Sequence, residues 1–270
     1  MKIRLRYFVL LCLAPALLLL NACATRQDGI ALEPAIAQDI WKSYTQYAAK
    51  SAEERANPSL VQASLRFGGN DDGRRVIVLL WENGDGPIRL DVRAGVGVSA
   101  AKILQTDSRF LLYAMQENRA YYHEGSQQSL LAYGLPLPFG LRDLAALLAG
   151  DYGAVFGLAP PNDPRSAHNG GIFLTLPKKG SPGGMLELDA QGLPRSWQEE
   201  KGGWRLTFSH DDDKAFPRPK QIEARHDDGK YAILLVRERQ HPDRPFTPDQ
   251  LDLKLPPGVP TIPMRQMKRL

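Results

Sequence analysis

Short apolar segments with a period of two recur along most of the chain, from residue 61 to residue 236. Residues 61–67 alternate apolar and polar side chains, as a strand with one buried face does. The later segments of this kind are 75–82, 88–92, 101–104, 110–115, 120–123, 172–176, 185–188, 194–198, 204–208, 221–225 and 231–236. The connections are short and rich in Gly and Asp, which leaves little room for βαβ crossovers. This pattern predicts a mainly β protein with about eleven antiparallel strands, arranged as an incomplete barrel or a sandwich.

Two helical regions interrupt the β pattern. Residues 35–55 place apolar side chains on one helical face, which predicts an N-terminal helix that packs on the sheet. Residues 125–150 form the most apolar run after the N-terminus. They predict a short helix, an elbow at Pro136 and Pro138, and a second helix. The second helix has one apolar face, made of Leu141, Leu144, Ala145, Leu147 and Leu148.

The helical insert has two interpretations. It is either a lid or plug over an apolar cavity of the sheet, or an ordinary helix that completes a core with no ligand. Trp81, Trp197 and Trp204 lie in strand patterns and are expected in the core or in a cavity wall. The sequence also predicts a loop over 151–171, a last edge strand at Leu251, Leu253 and Leu255, and a basic, poorly ordered tail at 258–270.

The N-terminus has the order of a bacterial lipoprotein signal. Lys2, Arg4 and Arg6 precede an apolar run at 8–20 that is short for a membrane span, and Cys23 follows. The sequence around Cys23 resembles a lipobox, although an ordinary cleavable signal is the alternative. The resemblance implies a signal peptide at 1–22, lipidation of Cys23 and a tether at 23–34. Ala24 follows the cysteine, which by resemblance to sorting signals implies the outer membrane, facing the periplasm.

Cysteine content and charge exclude several functions. Cys12 and Cys23 are the two cysteines of the sequence, so the processed domain would have no disulfide and no thiol for catalysis or zinc binding. The formal net charge of +4 falls to +1 when the three basic residues of the signal are removed (+4 − 3 = +1). A strongly basic surface for nucleic acid is therefore not expected.

Local catalytic motifs are missing from the sequence. There is no G-x-S-x-G elbow. The glycines at 95 and 97 lack the third glycine and the following helix of a nucleotide loop. The five histidines have no ligand spacing, and the acidic run 211–213 after His210 is typical of a solvated turn. We expect a protein that is not an enzyme and needs no cofactor or metal, while a hydrolase without a local signature stays an alternative.

The order of elements resembles the LolB family of outer-membrane lipoprotein receptors and the wider LolA/LolB-like superfamily. The resemblance rests mainly on the segment 135–144, LPLPFGLRDL, where a helix ends in a P-x-P elbow and a second helix follows. Residues 192–194, Trp204, the segment 216–219 and the segment 253–256 also fit the family pattern. The resemblance covers most of 35–257.

The resemblance implies a half-barrel domain at 35–257 around an apolar cavity that accepts acyl chains of lipoproteins or lipids and assists their insertion into the outer membrane. A periplasmic lipoprotein carrier would be a partner. The candidate wall of the cavity is Leu80, Tyr113, Leu130, Leu144 and Leu148. The loop 94–98 lies where the family has an exposed apolar residue for membrane insertion, so Val96 and Val98 are candidates, with a plain glycine-rich hairpin as the alternative. A structural envelope lipoprotein that acts through a protein interface is the second functional interpretation.

Overall fold

A computed structural model describes residues 33–69, 72–95, 97–125, 130–133, 135–160, 162–167, 170–177, 182–213 and 215–267. Fourteen strands form one sheet: β1 Pro58–Gly68, β2 Gly73–Asn83, β3 Ile88–Ala94, β4 Val98–Gln105, β5 Arg109–Ala114, β6 Arg119–Glu124, β7 Asn162–Ser166, β8 Ile172–Leu176, β9 Gly184–Leu188, β10 Pro194–Glu199, β11 Trp204–His210, β12 Pro219–His226, β13 Tyr231–Gln240 and β14 Thr261–Pro263. Four α-helices accompany the sheet in these residues: α1 Pro34–Arg55, α2 Leu141–Ala149, α3 Tyr152–Phe156 and α4 Pro248–Leu251. Two 3-10 helices are Leu130–Tyr133 and Met264–Gln266.

The sheet is open. Its strand order is β14-β6-β5-β4-β3-β2-β1-β13-β12-β11-β10-β9-β8-β7, so β14 and β7 are the two edges. Neighbours pair antiparallel except β14, which is parallel to β6. The prediction of a mainly β, incomplete antiparallel barrel with an N-terminal helix is confirmed, although the described residues contain fourteen strands rather than about eleven.

One face of the sheet, here called the inner face, is apolar across both halves. In the first half, one row of directly paired residues is buried throughout: Val61, Leu80, Leu90, Ile103, Leu112 and Tyr121. In the second half, a row runs from Phe67 through Ala232, Ala224, Leu206, Trp197, Leu186 and Leu174. Val61 and Phe67 are an even number of residues apart on β1, so both rows lie on the same face.

Helix α1 covers part of the inner face. Pro34 opens it, where the missing amide hydrogen costs nothing. Ala37, Ile40, Tyr44 and Ala48 recur at helical spacing and are buried, and Ile40 and Tyr44 belong to the core of the inner face. Gly192, in the β9–β10 turn, touches this helix so closely that a Cβ there would lie 2.6 Å from the backbone N of Tyr44. The predicted N-terminal helix is confirmed over nearly the same residues.

The structure differs from the prediction at 151–171. The segment contains α3 and β7 instead of a continuous loop. Strand β7 is an edge strand with a register shift, Pro164 within it and Asp163 at a φ of 59°. An edge strand that pairs on one side does not need apolar alternation, which is why the pattern gives no sign of it.

The C-terminal segment also differs from the prediction. Leu251 ends the short helix α4, and Leu253 is buried outside any strand. Residues 261–263 add β14 to the edge of the sheet, and Met264 is buried against the core. The folded body therefore extends past the predicted boundary at 257. The alternation around Leu253 arises because this side chain is buried against the outer face of the sheet. Strand β14 has only three residues, which are too few to show an alternating pattern in the sequence.

Candidate functional site

In the structure, the name helical insert covers 130–133 and 135–156, which include α2 and α3. The insert begins with the 3-10 helix Leu130–Tyr133 and turns back at its two prolines. The backbone N–H of Leu130 donates to the carbonyl of Phe139 at 2.8 Å, and that of Leu131 donates to the carbonyl of Leu137 at 3.2 Å. Pro136 and Pro138 have no amide hydrogen, so they leave no donor of their own to be satisfied at the elbow. The predicted order of short helix, elbow and second helix is confirmed.

Helix α2 lies with its apolar face against the inner face of the sheet. Its start is capped by Asp143, whose carboxylate accepts from the N–H of Gly140 at 3.1 Å. Its end is Gly150, at a φ of 83°, where an added Cβ would lie 2.7 Å from the hydroxyl oxygen of Tyr47. Glycine is therefore required at the α2–α3 turn by both conformation and space.

Four of the five predicted wall residues come together. Leu80, Leu130, Leu144 and Leu148 belong to one core cluster on the inner face, and each is at most 4% exposed. Their neighbours in this cluster are other side chains of the same chain, so α2 occupies the inner face here as a cover.

Tyr113 lies elsewhere. It belongs to a second cluster with Leu111, Ala120 and Leu253, on the opposite, outer face of the sheet. The reason is strand parity: Leu112 pairs with Ile103 in the inner row, so its neighbour Tyr113 points away from that row. The outer face is apolar here because the C-terminal segment covers it, which leaves both faces of β5 buried.

The predicted membrane loop is the β3–β4 hairpin. Val98 is 62% exposed, a high value for an apolar side chain, and glycines at 95 and 97 with positive φ form the turn. Val96 lies outside the described residues, as does the predicted lipidation residue Cys23.

Aromatic side chains of the insert meet the second half of the inner face at Trp197. The ring of Phe139, in the elbow, lies 5.4 Å from that of Trp197 between centroids, and the ring of Phe156, in α3, lies 6.3 Å away. The Trp197 side chain is 1% exposed, and its indole nitrogen has no hydrogen-bond partner in the described structure. The sequence places Trp197 in the core or wall, but an unpaired N–H cannot be read from a sequence.

A buried group of charges joins the insert to α1 and β2. Arg55, at the end of α1, lies 3.4 Å from Asp151 and 3.5 Å from Glu82, measured between guanidinium nitrogen and carboxylate oxygen. The hydroxyl of Ser59 donates to Glu82 at 3.3 Å. Burial raises the pKa of Glu82, and Arg55 and Ser59 oppose that rise. Asp151 also caps α3 by accepting from the N–H of Ala154.

A second polar contact lies under α3. The hydroxyl oxygen of Tyr152 is 2.8 Å from Nε2 of His210, and the hydroxyl of Tyr44 donates to the carbonyl of Gly157 at 3.1 Å. Burial, and then the charge of Arg195, lowers the pKa of His210 from 6.5 to about 4. His210 is therefore neutral at pH 7. Burial also raises the pKa of its partner, the hydroxyl of Tyr152.

The acidic run after His210 builds a turn. Asp211 accepts from the N–H of Arg218 at 2.9 Å, and Asp213 accepts from the N–H of Ala215 at 2.9 Å.

Within the described ranges, no three His, Cys, Asp or Glu side chains are grouped as metal ligands. In the same part of the chain, none of the helices has the length and apolarity needed to cross a membrane. The candidate site is the apolar inner face with its helical cover, whose side chains form one core cluster.

Comparison with known proteins supports the fold. The sequence matches no protein-family model and no curated protein. The structure is similar to a LolA superfamily protein from Nitrosomonas europaea, with a TM-score of 0.53, 14% identity, and coverage of 76% of this chain and 98% of that one. It is also similar to a putative outer membrane lipoprotein-sorting protein domain from Vibrio parahaemolyticus, with a TM-score of 0.50, 14% identity, and coverage of 80% and 97%.

A DUF1329 family protein from Desulfovibrio piger gives a TM-score of 0.53 at 12% identity and covers 78% of this chain and 96% of that one. At such identities the likeness concerns the fold. The chain has an open-sheet fold similar to that of a LolA superfamily protein, which confirms the predicted fold. The closer resemblance to LolB stays a prediction.

Proposed function

We propose that this protein is a lipid-anchored lipoprotein of the bacterial envelope that binds acyl chains of lipoproteins, or of lipids, on its inner face and assists their insertion into the outer membrane. The observation that carries the proposal is the continuous apolar inner face beneath a helical insert. The likeness of the fold to a putative lipoprotein-sorting domain supports it. The proposal involves no covalent chemistry.

The energetics of acyl chains explain why such a face is useful. Each methylene removed from water is worth about 0.8 kcal/mol. An acyl chain of ordinary length therefore needs a cover while it crosses water, and a row of Leu, Val and Ile side chains supplies one. Because Leu144 and Leu148 occupy the inner face here, acyl binding requires the insert to move. The described structure corresponds to the closed state of the proposed carrier.

Anchoring and delivery complete the proposal. Lipid on Cys23 would hold the protein at the outer membrane, and Ala24 after it fits that destination. A periplasmic lipoprotein carrier would supply the acylated cargo. The exposed Val98 hairpin, together with Val96, would contact the membrane during release.

The test is direct analysis of bound lipid. The full chain with Cys23→Ala, which carries no lipid of its own, would be purified without detergent and its bound molecules extracted for mass spectrometry. We expect acyl chains in a fixed ratio to protein. A protein free of lipid that also fails to bind a fluorescent fatty acid would contradict the proposal.

A second candidate is a structural envelope lipoprotein that acts through a protein interface. The burial of the four leucines against the protein's own side chains favours it, since a permanently filled interior has no space for cargo. The same experiment separates the candidates, because a structural lipoprotein would bind no acyl chain under any condition.

A further inference from the structure

The indole N–H of Trp197 is a buried hydrogen-bond donor that has no acceptor among the residues that the structure describes. Buried polar groups in native proteins are nearly always paired, because an unpaired donor loses its water without compensation. A tryptophan that only filled the core could be replaced by an aromatic ring without a donor. The unpaired N–H therefore indicates that a hydrogen-bond acceptor binds here, and that this acceptor is not part of the described structure.

Trp197 lies where a ligand on the inner face would pass. On β10 it pairs with Leu206 on one side and Leu186 on the other, within the second inner row. The rings of Phe139, in the elbow, and Phe156, in α3, lie against it. A movement of the insert that opens the inner face would therefore uncover Trp197 as well.

The donor lies near one end of the strands. An ideal Cβ at Gly184, the first residue of β9, would be 3.1 Å from the indole nitrogen, so the nitrogen faces the start of that strand. Glycine is required at Gly184 in any case, because its φ is 146° and a Cβ would also meet the carbonyl of Gln198. From here the inner face continues along β9 to Leu188 and along β11 to Phe208, both buried.

This placement matches the polarity of a lipid. An acyl chain is a hydrocarbon except at its carbonyl, which accepts hydrogen bonds where the chain joins its head group. With the carbonyl beside Trp197 near the strand ends, the hydrocarbon would run along the apolar face, and the head group would stay near the end of the sheet.

We propose that the indole N–H of Trp197 donates a hydrogen bond to an ester or amide carbonyl of the bound acyl chain. The proposal rests on the function proposed above and adds a specificity: the site selects acyl chains over alkyl chains. The acyl carbonyl would be the acceptor for the indole N–H of Trp197, which otherwise has no hydrogen-bond partner in the described structure.

Matched probes test the proposal on the full chain with Cys23→Ala. The probes are a dioctanoyl lipopeptide, a dioctanoyl phospholipid, and the dioctyl ether forms of both. We expect each ester probe to bind about fivefold tighter than its ether form, the effect of one hydrogen bond. Trp197→Phe should abolish this preference. Trp81→Phe, which changes a tryptophan outside the inner row, should retain it. Comparing the two ester probes shows whether lipoprotein or phospholipid is the better source of the carbonyl.

A spectroscopic measurement covers the case in which Trp197→Phe fails to fold. The four tryptophans give four indole N–H signals in ¹⁵N NMR, and Trp→Phe variants at Trp41, Trp81 and Trp204 assign the fourth by elimination. Ester probes should shift the Trp197 signal downfield, and ether probes should not. Equal binding of ester and ether probes, with no selective shift, would overturn this proposal alone. Failure of every probe to bind would overturn the proposed function together with it.

Discussion

At the scale of single residues, burial determines the charge state of a polar group under the insert. His210 is the clearest case, because burial and Arg195 lower its pKa to about 4 while it contacts Tyr152. A histidine whose pKa is lower in the folded state than in the unfolded state takes up a proton more readily when unfolded. Its contribution to stability is therefore complete above pH 6.5 and is lost as the pH falls through 4.

His210→Gln tests this linkage, since glutamine retains a hydrogen-bonding group but does not titrate. The pKa difference corresponds to about 3 kcal/mol at most. Urea unfolding between pH 7 and pH 4 should show that the free energy of unfolding falls more steeply in the wild type than in the variant. Parallel pH profiles of the two proteins would contradict the assignment. Lys254→Gln, a charge change at the exposed ion pair with Asp249, is the control and should leave the profile unchanged.

Two buried leucines on opposite faces of the sheet form a matched pair. Leu144 and Leu253 are 4% and 5% exposed, so replacing either with alanine should lower the free energy of unfolding by about 2–5 kcal/mol. Leu144→Ala alone should raise the apparent affinity for acyl chains, because it weakens the closed state that competes with the ligand. Leu253→Ala, in the cluster of Tyr113, should leave affinity unchanged. Titration with a fluorescent fatty acid measures the affinity of each variant. Equal changes in affinity in the two variants would show that the insert does not compete with the ligand.

At the scale of elements, the insert is held by its leucine face and by a few polar contacts, among them Arg55 with Asp151. Helix α3 also packs tightly on α1: an ideal Cβ at Gly153 would lie 3.0 Å from the Cβ of Ala48. This is less than the Cβ separation of about 3.8 Å in disulfides. The same Cβ would lie 3.0 Å from Cδ2 of Leu158, so a disulfide needs a small shift of the helices and of this side chain.

Ala48→Cys with Gly153→Cys therefore offers a reversible lock between α1 and α3. If the insert must move to admit acyl chains, the oxidised double variant should lose fatty-acid binding and the reduced protein should regain it. Each single cysteine variant, treated in the same way, is the control. Full binding by the oxidised protein, with the disulfide confirmed by mass spectrometry, would show that ligand enters without displacement of α3.

Most elements follow from the sequence because their signals are local. The periods of 2 and 3.6 predict the strands and helices that bury one face, and the P-x-P elbow predicts the form of the insert. Tyr113 is an example in which the local pattern does not predict the face of the sheet on which a residue lies. Residues 110–113 are buried on both faces, so the pattern cannot say which of them points inward, and only the pairing of Leu112 with Ile103 decides it. Strand β7 has no apolar alternation to detect, and the indole N–H of Trp197 stands out only because it makes no hydrogen bond within the described residues.

At the scale of the whole molecule, the proposed function uses one surface for acyl binding and another for membrane contact. The inner face is covered by the insert, while Val98 is exposed on the β3–β4 hairpin. Binding and delivery should therefore be separable by mutation.

Val98→Glu tests this separation. A charged side chain at this hairpin should oppose its entry into a bilayer, so transfer of a lipoprotein to vesicles should fall by about tenfold or more, given the cost of burying a charge. Fatty-acid binding should stay as in the wild type. Met185→Glu changes another exposed apolar residue, on β9, and is the control with unchanged transfer. Normal transfer by Val98→Glu would remove the hairpin from the mechanism.

The parallel pairing of β14 with β6 has a consequence for the order of assembly. Strand β6 ends at Glu124, yet the strand that completes its edge begins at Thr261. A chain that emerges from its amino end can therefore form β1 to β6 early, but the outer edge of β6 stays without its partner until residues 261–263 have been made. The first half of the sheet is completed by residues 261–263, so a chain that lacks them leaves an early-formed edge open to pairing with other molecules.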